Sequence, residues 1–346
     1  MINRNVKAVV TGAGGFIGGH LVVALRNLGY QVRAIDKKPL NQWYQVSEEV
    51  DNLVLDLNIR ENCYKAVNGF NEVFNLAADM GGMGFIETHK ADCMLSVLIN
   101  THMLLASKDC GVARYFYSSS ACVYNGDKQT DPDNPGLKES DAYPALSEDG
   151  YGWEKLFSER MCRHFMEDYG LITRVARFHN VYGPYGTYDG GREKAPAAIC
   201  RKVIDRELYG KDEILIWGDG YQTRSFMFIK DCIKGILDIM YSDIEEPINL
   251  GSSEMVSINQ LVDIVEGIAG YKLKRNYDPD APKGVRGRNS DNTLIRKYLG
   301  WEPSIPLKEG LVKTYTWIRE QMIKDKEMVE KGKGKPGHNY KSVFND

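Results

Sequence analysis

Tyr151 and Lys155, in Tyr151-Gly152-Trp153-Glu154-Lys155, stand at i and i+4, which puts a phenol and an ammonium on one helix face. A phenol with its usual pKa near ~10 is a poor base at neutral pH. A positive charge held close favours the phenolate, and a tyrosine so placed can take and return protons. By itself this spacing is common on helix surfaces. Here Ser118-Ser119-Ser120 ends a strand pattern upstream of it, and a glycine cluster lies further upstream still.

That cluster is Gly12-Ala13-Gly14-Gly15-Phe16-Ile17-Gly18. It follows an apolar strand pattern and opens a helical one. Gly12 permits a sharp turn, Gly15 lets a pyrophosphate approach the backbone, and Gly18 lets helix pack on strand. The phosphates of a dinucleotide then sit on the helix N-terminus at Phe16 and Ile17. Asp36 closes the second strand pattern, where a carboxylate takes ribose hydroxyls and repels a 2′-phosphate, so NAD is expected over NADP. Asp56, after the third strand pattern, is a candidate for the adenine edge or an ordinary loop aspartate. The nicotinamide ring of NAD is a second positive charge for Tyr151.

The elements that position these residues alternate between strand and helix. Strands are predicted at 7–11, 31–36, 53–55, 72–76, 115–118 and 173–178, and helices at 16–28, 91–108 and 151–169. Such alternation implies an α/β fold built on a doubly wound parallel (Rossmann) sheet. After Asn180 the chain becomes loop-rich, with short segments broken by Pro279, Pro282 and Gly284. The expected organisation is an NAD-binding domain over 1–180, with segments near 225–250 and 305–320 returning to it. A smaller substrate-binding lobe is expected over 181–224 and 251–304, and a polar tail over 325–346.

Composition narrows the function classes. At 346 residues the chain is long enough for about two domains. Its 44 basic and 47 acidic residues leave a net charge of −3, which argues against a nucleic-acid or membrane-surface binder working through bulk charge. No run approaches the ~18 apolar residues of a membrane span, and a strand pattern starts too early to leave room for a signal peptide. The seven cysteines are scattered, without CxxC spacing, and the six histidines lack HxxxH spacing. Reduced thiols in a cytoplasmic enzyme without a metal site are expected.

The glycine turn, Ser120 and Tyr151-x-x-x-Lys155 together resemble the extended short-chain dehydrogenase/reductase superfamily, of the sugar-nucleotide-modifying kind. The resemblance implies Tyr151 as base on a sugar hydroxyl. It implies Lys155 as the residue that lowers the Tyr151 pKa and holds ribose, and Ser120 as a hydrogen-bond partner of the same oxygen. In 4,6-dehydratases the stretch after the serine resembles an Asp-Glu pair. Here it is Ala121-Cys122, which disfavours dehydration, while a simple 4-epimerase needs no second acid or base.

Longer strings resemble the GDP-mannose 3,5-epimerase family. They are Ala77–Ile86 with its Met-Gly-Gly-Met-Gly loop, Ser119–Tyr124, Arg177–Pro184, Gly190–Pro196, Trp217–Phe226 and Val285–Asn292. The resemblance implies NAD as cofactor and a GDP-sugar as substrate. It makes Cys122 and Lys194 the pair that moves protons at C3 and C5 once C4 is a ketone. A thiolate is a plausible base beside cations and a lysine ammonium a plausible acid. It also implies diphosphate contacts from Arg224 and Arg288, and Lys202, Gln222 and Thr223 near the nucleotide. Gly81, Ser120, Ala121, Asn180, Glu193 and Ala195 would line the sugar, with His179 structural. A homodimer built on helices 91–108 and 151–169 is implied as well. The 127–135 stretch matches nothing in the family. Two readings compete: a relative acting on another base or sugar, and a catalytically silent NAD-binding protein. The intact Ser120, Tyr151 and Lys155 argue against the second.

Overall fold

The first half of the chain forms strands where short apolar runs stop at turn residues, and helices where the apolar spacing lengthens. The computed structural model describes residues 6–332. Strands β1 (Lys7–Thr11), β2 (Gln31–Asp36), β3 (Asp51–Val54), β4 (Glu72–Asn75), β5 (Arg114–Ser120) and β6 (Ile172–Phe178) alternate with α1 (Phe16–Asn27), α2 (Arg60–Val67), α3 (Met83–Thr88), α4 (Lys90–Asp109) and α5 (Asp149–Tyr169). Beyond them lie β7 (Val181–Tyr182), α6 (Ala195–Tyr209), β8 (Glu213–Trp217), β9 (Thr223–Ser225), β10 (Met227–Phe228), α7 (Ile229–Met240) and β11 (Ile248–Leu250). The chain continues through β12 (Met255–Ser257), α8 (Ile258–Ala269), β13 (Lys274–Asp278), β14 (Gly287–Arg288), α9 (Thr293–Leu299) and α10 (Leu307–Glu330).

Seven strands form one parallel sheet in the order β11-β6-β5-β4-β1-β2-β3, the doubly wound arrangement expected. All four residues of β4 are buried, as a central strand covered on both faces must be. One face packs Val9, Ile35, Val73, Tyr115 and Val175 against α2, α4 and α5; the other joins Val10, Phe74 and Phe116 to a core shared with the second lobe. The strand order reverses between β1 and β4. Ligands of such sheets bind beyond the carboxyl ends of the strands at that point.

Several expectations needed correction. The third strand runs Asp51–Val54 instead of 53–55, because its backbone pairs in register with Arg33–Asp36 of β2, and Arg33 also reaches Asp51 at 2.7 Å. The segment near Ser225 does not return to the main sheet. β9 lies between β12 and β14 in a three-stranded sheet, β10 pairs with β7, and only β11 joins the main sheet, beside β6. The Met227 N–H donates to the Asn180 carbonyl at 3.1 Å, which fixes that departure. The 305–320 segment packs, as part of α10, on α6 and α8, where the Tyr182 hydroxyl donates to the Leu307 carbonyl at 3.0 Å. The polar tail expected over 325–346 begins later: α10 continues to Glu330 with Met322 and Asp325 buried, and the Lys326 ammonium holds the Leu208 carbonyl at 2.8 Å. The rest of the tail, from 333, lies outside the described residues.

Candidate active site

The carboxyl ends of β1 and β4 are tied beneath the glycine turn. The Thr11 hydroxyl donates to Asn75 Oδ1 at 2.7 Å and accepts from the Leu76 and Ala77 N–H groups at 3.1 and 3.2 Å. Gly12 turns with φ +69°, a conformation that favours glycine. A Cβ on Gly18 would stand 2.2 Å from the Gly12 carbonyl oxygen, so α1 can pack on this turn only as glycine. The result is a cradle of bare backbone at a helix N-terminus, opening into a cavity of about 1090 Å³.

That cavity gathers Gly12, Gly15, Phe16, Ile17, Gly18, Asp36, Asp56, Ser120, Tyr151, Lys155 and Lys194 from six separate stretches of chain. Its size does not single it out: a groove of about 1340 Å³ around Tyr241 and Trp301 contains none of these residues. Asp36 accepts the Lys38 N–H at 3.0 Å, and the Lys38 ammonium reaches the Gly14 carbonyl at 2.6 Å. Asp56 caps a turn by accepting from the Asn58 backbone and side chain, both at 2.9 Å. The cradle and the carboxylate at the end of β2 fit a dinucleotide with free ribose hydroxyls.

Tyr151 is buried on the first turn of α5. The Lys155 ammonium lies over its ring at 5.5 Å and over the Tyr117 ring at 4.7 Å. Glu154 holds that ammonium at 3.7 Å. Lys155 was expected to lower the Tyr151 pKa. Instead, burial pushes the phenol well above its usual value, Cys122 and Glu154 add to the rise, and a hydrogen bond with Ser120 only partly opposes it. Desolvation is the largest influence on the phenol.

Ser120 ends β5, and its Oγ accepts the Cys122 N–H at 3.2 Å to open a 3-10 turn over Ala121–Val123. The Cys122 thiol is pushed up to about 11 by burial, then by Glu148, against the pull of Arg288. Arg288, on β14, directs Nη1 to Cys122 Sγ at 3.7 Å, Nε to Gln129 Oε1 at 2.7 Å and Nη2 to Glu148 Oε1. Lys194 caps α6 and is lowered by burial, with Cys122 and Arg288 both within electrostatic reach. Arg224 is lowered to about 10 by burial and then by Arg288. Cys122, Lys194, Arg224 and Arg288 thus form one electrostatic cluster beside Tyr151.

Other expected substrate residues are engaged with the protein itself. Glu193 accepts the Gly191 N–H at 2.7 Å and faces Arg201 at 3.7 Å. The Lys202 ammonium donates to the Leu215 carbonyl at 2.7 Å, Gln222 to the Trp217 carbonyl at 2.7 Å, and Thr223 to the Pro132 carbonyl. Arg224 donates to the Thr223, Lys283 and Val285 carbonyls. Asn180, at φ +30°, donates to the Ser225 carbonyl at 3.1 Å. Gly81 packs against Phe85, and Ala195 opens α6 beside Lys194. His179 is fully buried and held by Asn249 at 2.9 Å, away from the cavity lining.

Sequence reasoning missed Glu148, Gln129, Lys38 and the Arg192–Asp79–Lys37 chain, whose links are 2.7 and 3.2 Å. Glu148 carried one signal: it stands three residues before Tyr151. Gln129 lies in the stretch that matched nothing. Among the described residues, no group of three or more His, Cys, Asp or Glu is placed to hold a metal ion, and no helix is long and apolar enough to cross a membrane.

A family model described as the NAD dependent epimerase/dehydratase family matches residues 8–251. The chain is 48% identical over 326 residues to GDP-mannose 3,5-epimerase of Arabidopsis thaliana, covering 94% of this chain and 85% of that protein. Among solved structures it resembles UDP-glucose 4-epimerase of Thermotoga maritima with UDP-glucose, with a TM-score of 0.83 and 25% identity over 92% of this chain and 100% of that one. It also resembles MoeE5 in complex with UDP-glucose and NAD, with a TM-score of 0.76 and 28% identity over 91% and 99%.

Proposed function

The chain belongs to the NAD dependent epimerase/dehydratase family, and from that premise we propose that it epimerises GDP-mannose at C3 and C5, through a transient ketone at C4, to GDP-L-galactose and GDP-L-gulose. Likeness to the Arabidopsis enzyme across nearly the whole chain carries this reading. The gathering of Cys122 and Lys194 beside Tyr151 supports it, because a simple 4-epimerase needs no such pair.

NAD, when bound, supplies reversible oxidation at C4. The cradle at Gly12, Gly15, Phe16, Ile17 and Gly18 would hold its pyrophosphate, Asp36 a ribose and Asp56 the adenine edge. Tyr151 takes the C4 hydroxyl proton and later returns it; its raised pKa makes the cationic nicotinamide the charge that favours phenolate. Ser120 aligns the same oxygen, and Lys155 holds the neighbouring ribose. Next to the ketone, protons at C3 and C5 become removable, and Cys122 and Lys194 take and give them. Arg224 and Arg288 meet the diphosphate, with Lys202, Gln222 and Thr223 nearer the nucleotide and Gly81, Ala121, Asn180, Glu193 and Ala195 around the sugar. For those now bonded to the protein itself, substrate contact requires exchange of a hydrogen bond.

Leu95 and Leu98 on α4 and Trp153 and Phe157 on α5 are exposed on helices packed side by side. They support a homodimer through these helices. The seven cysteines, all free, support a cytoplasmic setting.

The deciding experiment incubates the protein with GDP-mannose in heavy water and reads deuterium at the sugar carbons by NMR. Deuterium at both C3 and C5, lost at both in Cys122→Ala and Lys194→Met, is expected. Deuterium at one carbon only would replace this reading with a single-site epimerase. None on GDP-mannose, but some on another sugar nucleotide, would correct the substrate.

A further inference from the structure

Glu148 has no part in the chemistry above, yet it is wired to it at two points and leaves one buried oxygen open. Its backbone N–H donates to the Cys122 carbonyl at 2.9 Å. Its Oε1 accepts from Arg288 Nη2, the guanidinium whose Nη1 is 3.7 Å from Cys122 Sγ. Its Oε2 is buried with no hydrogen-bond partner among the described residues. A buried carboxylate oxygen left open loses its hydration without compensation, and such an atom needs an occupant. The thiol of Cys122 is the nearby donor without a fixed proton direction, and α5 is held tightly to it: a Cβ on Gly152 would stand 2.3 Å from the Cys122 carbonyl oxygen. Gln129 fixes the far side of Arg288 through Nε at 2.7 Å, so the guanidinium cannot swing away from both partners at once.

We propose that Glu148 is a positioning residue that accepts the Cys122 S–H through Oε2 and thereby controls when Cys122 gives up its proton during C3 and C5 epimerisation. The proposal deepens the epimerase reading and rests on it for the role of Cys122. No net transfer is involved: the S–H bond persists, and the carboxylate keeps its contact with Arg288 through Oε1. The titratable and charged groups facing the thiol come from every surrounding element. They are Glu148 before α5, Tyr151 on α5, Arg288 on β14, Arg224 on β9 and Lys194 at the start of α6. Glu148 is the carboxylate among them. Removing its charge leaves three cations around the thiol and takes away its acceptor, and both changes ease ionisation. The elevated thiol pKa agrees with this arrangement. Substrate engagement of Arg288 would alter the same balance at the moment the proton has to move.

The test titrates Cys122 directly, without substrate. NAD-loaded wild type and Glu148→Gln are alkylated with iodoacetamide across pH, and the Cys122 peptide is quantified by mass spectrometry. The proposal expects the alkylation midpoint of Glu148→Gln to fall by about one pH unit or more. Glu148→Asp, which keeps the charge on a shorter arm, should move it less. The Cys122-dependent limb of the deuterium-exchange pH profile should shift the same way. An unchanged midpoint in folded, NAD-loaded Glu148→Gln would overturn the proposal. So would equal shifts in Gln and Asp variants, which would mark a merely structural role. Should Glu148→Gln fail to fold, Glu148→Ala, which removes charge and acceptor together, takes its place in the same comparison with Glu148→Asp. A shifted midpoint in a protein that exchanges no GDP-mannose proton would sustain the Glu148–Cys122 coupling and reject the epimerase reading.

Discussion

Glu159 and Arg177 form a buried two-pronged ion pair, Nε to Oε1 at 2.9 Å and Nη2 to Oε2 at 2.7 Å. The Ser119 hydroxyl donates to the same carboxylate at 2.5 Å, and Arg177 Nη1 reaches the Glu139 carbonyl at 2.7 Å. The pair ties α5, which carries Tyr151, to β5 and β6 one residue from Ser120. Breaking it from one side strands a buried charge. Arg177→Met should therefore lose about 3–5 kcal/mol of unfolding free energy in urea, and Arg177→Met with Glu159→Leu markedly less. Equal losses in the single and double variants would show that packing, not charge, holds this junction.

Gly18→Ala tests the cofactor cradle. The added methyl would meet the backbone oxygen of Gly12 at 2.2 Å, and backbone has no rotamer to yield. The expected cost is about 1–3 kcal/mol of stability together with loss of bound NAD, read by thermal unfolding and by cofactor content after denaturation. Gly29→Ala is the control: a Cβ there meets nothing within 4 Å among the described residues, although its φ of +86° carries some backbone strain. NAD retained at wild-type level in Gly18→Ala would place the pyrophosphate elsewhere.

Tyr151→Phe and Lys155→Met should fail differently. The phenol moves a proton, so Tyr151→Phe should slow proton exchange from GDP-mannose by roughly 10²–10⁴-fold with NAD content intact. Lys155 lines the cofactor cavity and stands over two tyrosine rings, so Lys155→Met should lose NAD as well as rate. Wild-type exchange in Tyr151→Phe would remove the tyrosine from the proposed mechanism.

Burial lowers His179 from 6.5 to about 3. Its neutral form is favoured in the folded state, so between these values the unfolded chain binds more protons. The contribution is complete above about pH 6.5 and is lost progressively as pH falls towards 3, with a slope of at most about 1.4 kcal/mol per pH unit. Unfolding free energies at pH 7, 5.5 and 4.5 should fall more steeply in wild type than in His179→Gln. Parallel slopes would show that His179 is not buried as the neutral ring.

Local patterns in the sequence were enough for most strands of the first half and for its long helices α1, α4 and α5, because each is set by the side-chain period of a few consecutive residues; the short α2 and α3 held too few residues to show one. Local patterns were also enough for the turn at Gly12 and for Tyr151 and Lys155, one helical turn apart on α5. The family strings carried Cys122, Lys194, Arg224 and Arg288 as candidates. What tertiary structure alone decided is everything that joins distant segments. β9 and β10 are short, and their partners β12, β14 and β7 lie too far along the chain for any local pattern to choose among sheets. α10 outran its predicted polar start because Met322 and Asp325 are buried by neighbours from elsewhere. Glu148, Gln129 and Arg288 meet at Cys122 from three unconnected loops and strands. The rise of the Tyr151 pKa belongs to this second class too, since desolvation is set by all the atoms packed around a group and not by its position in the chain.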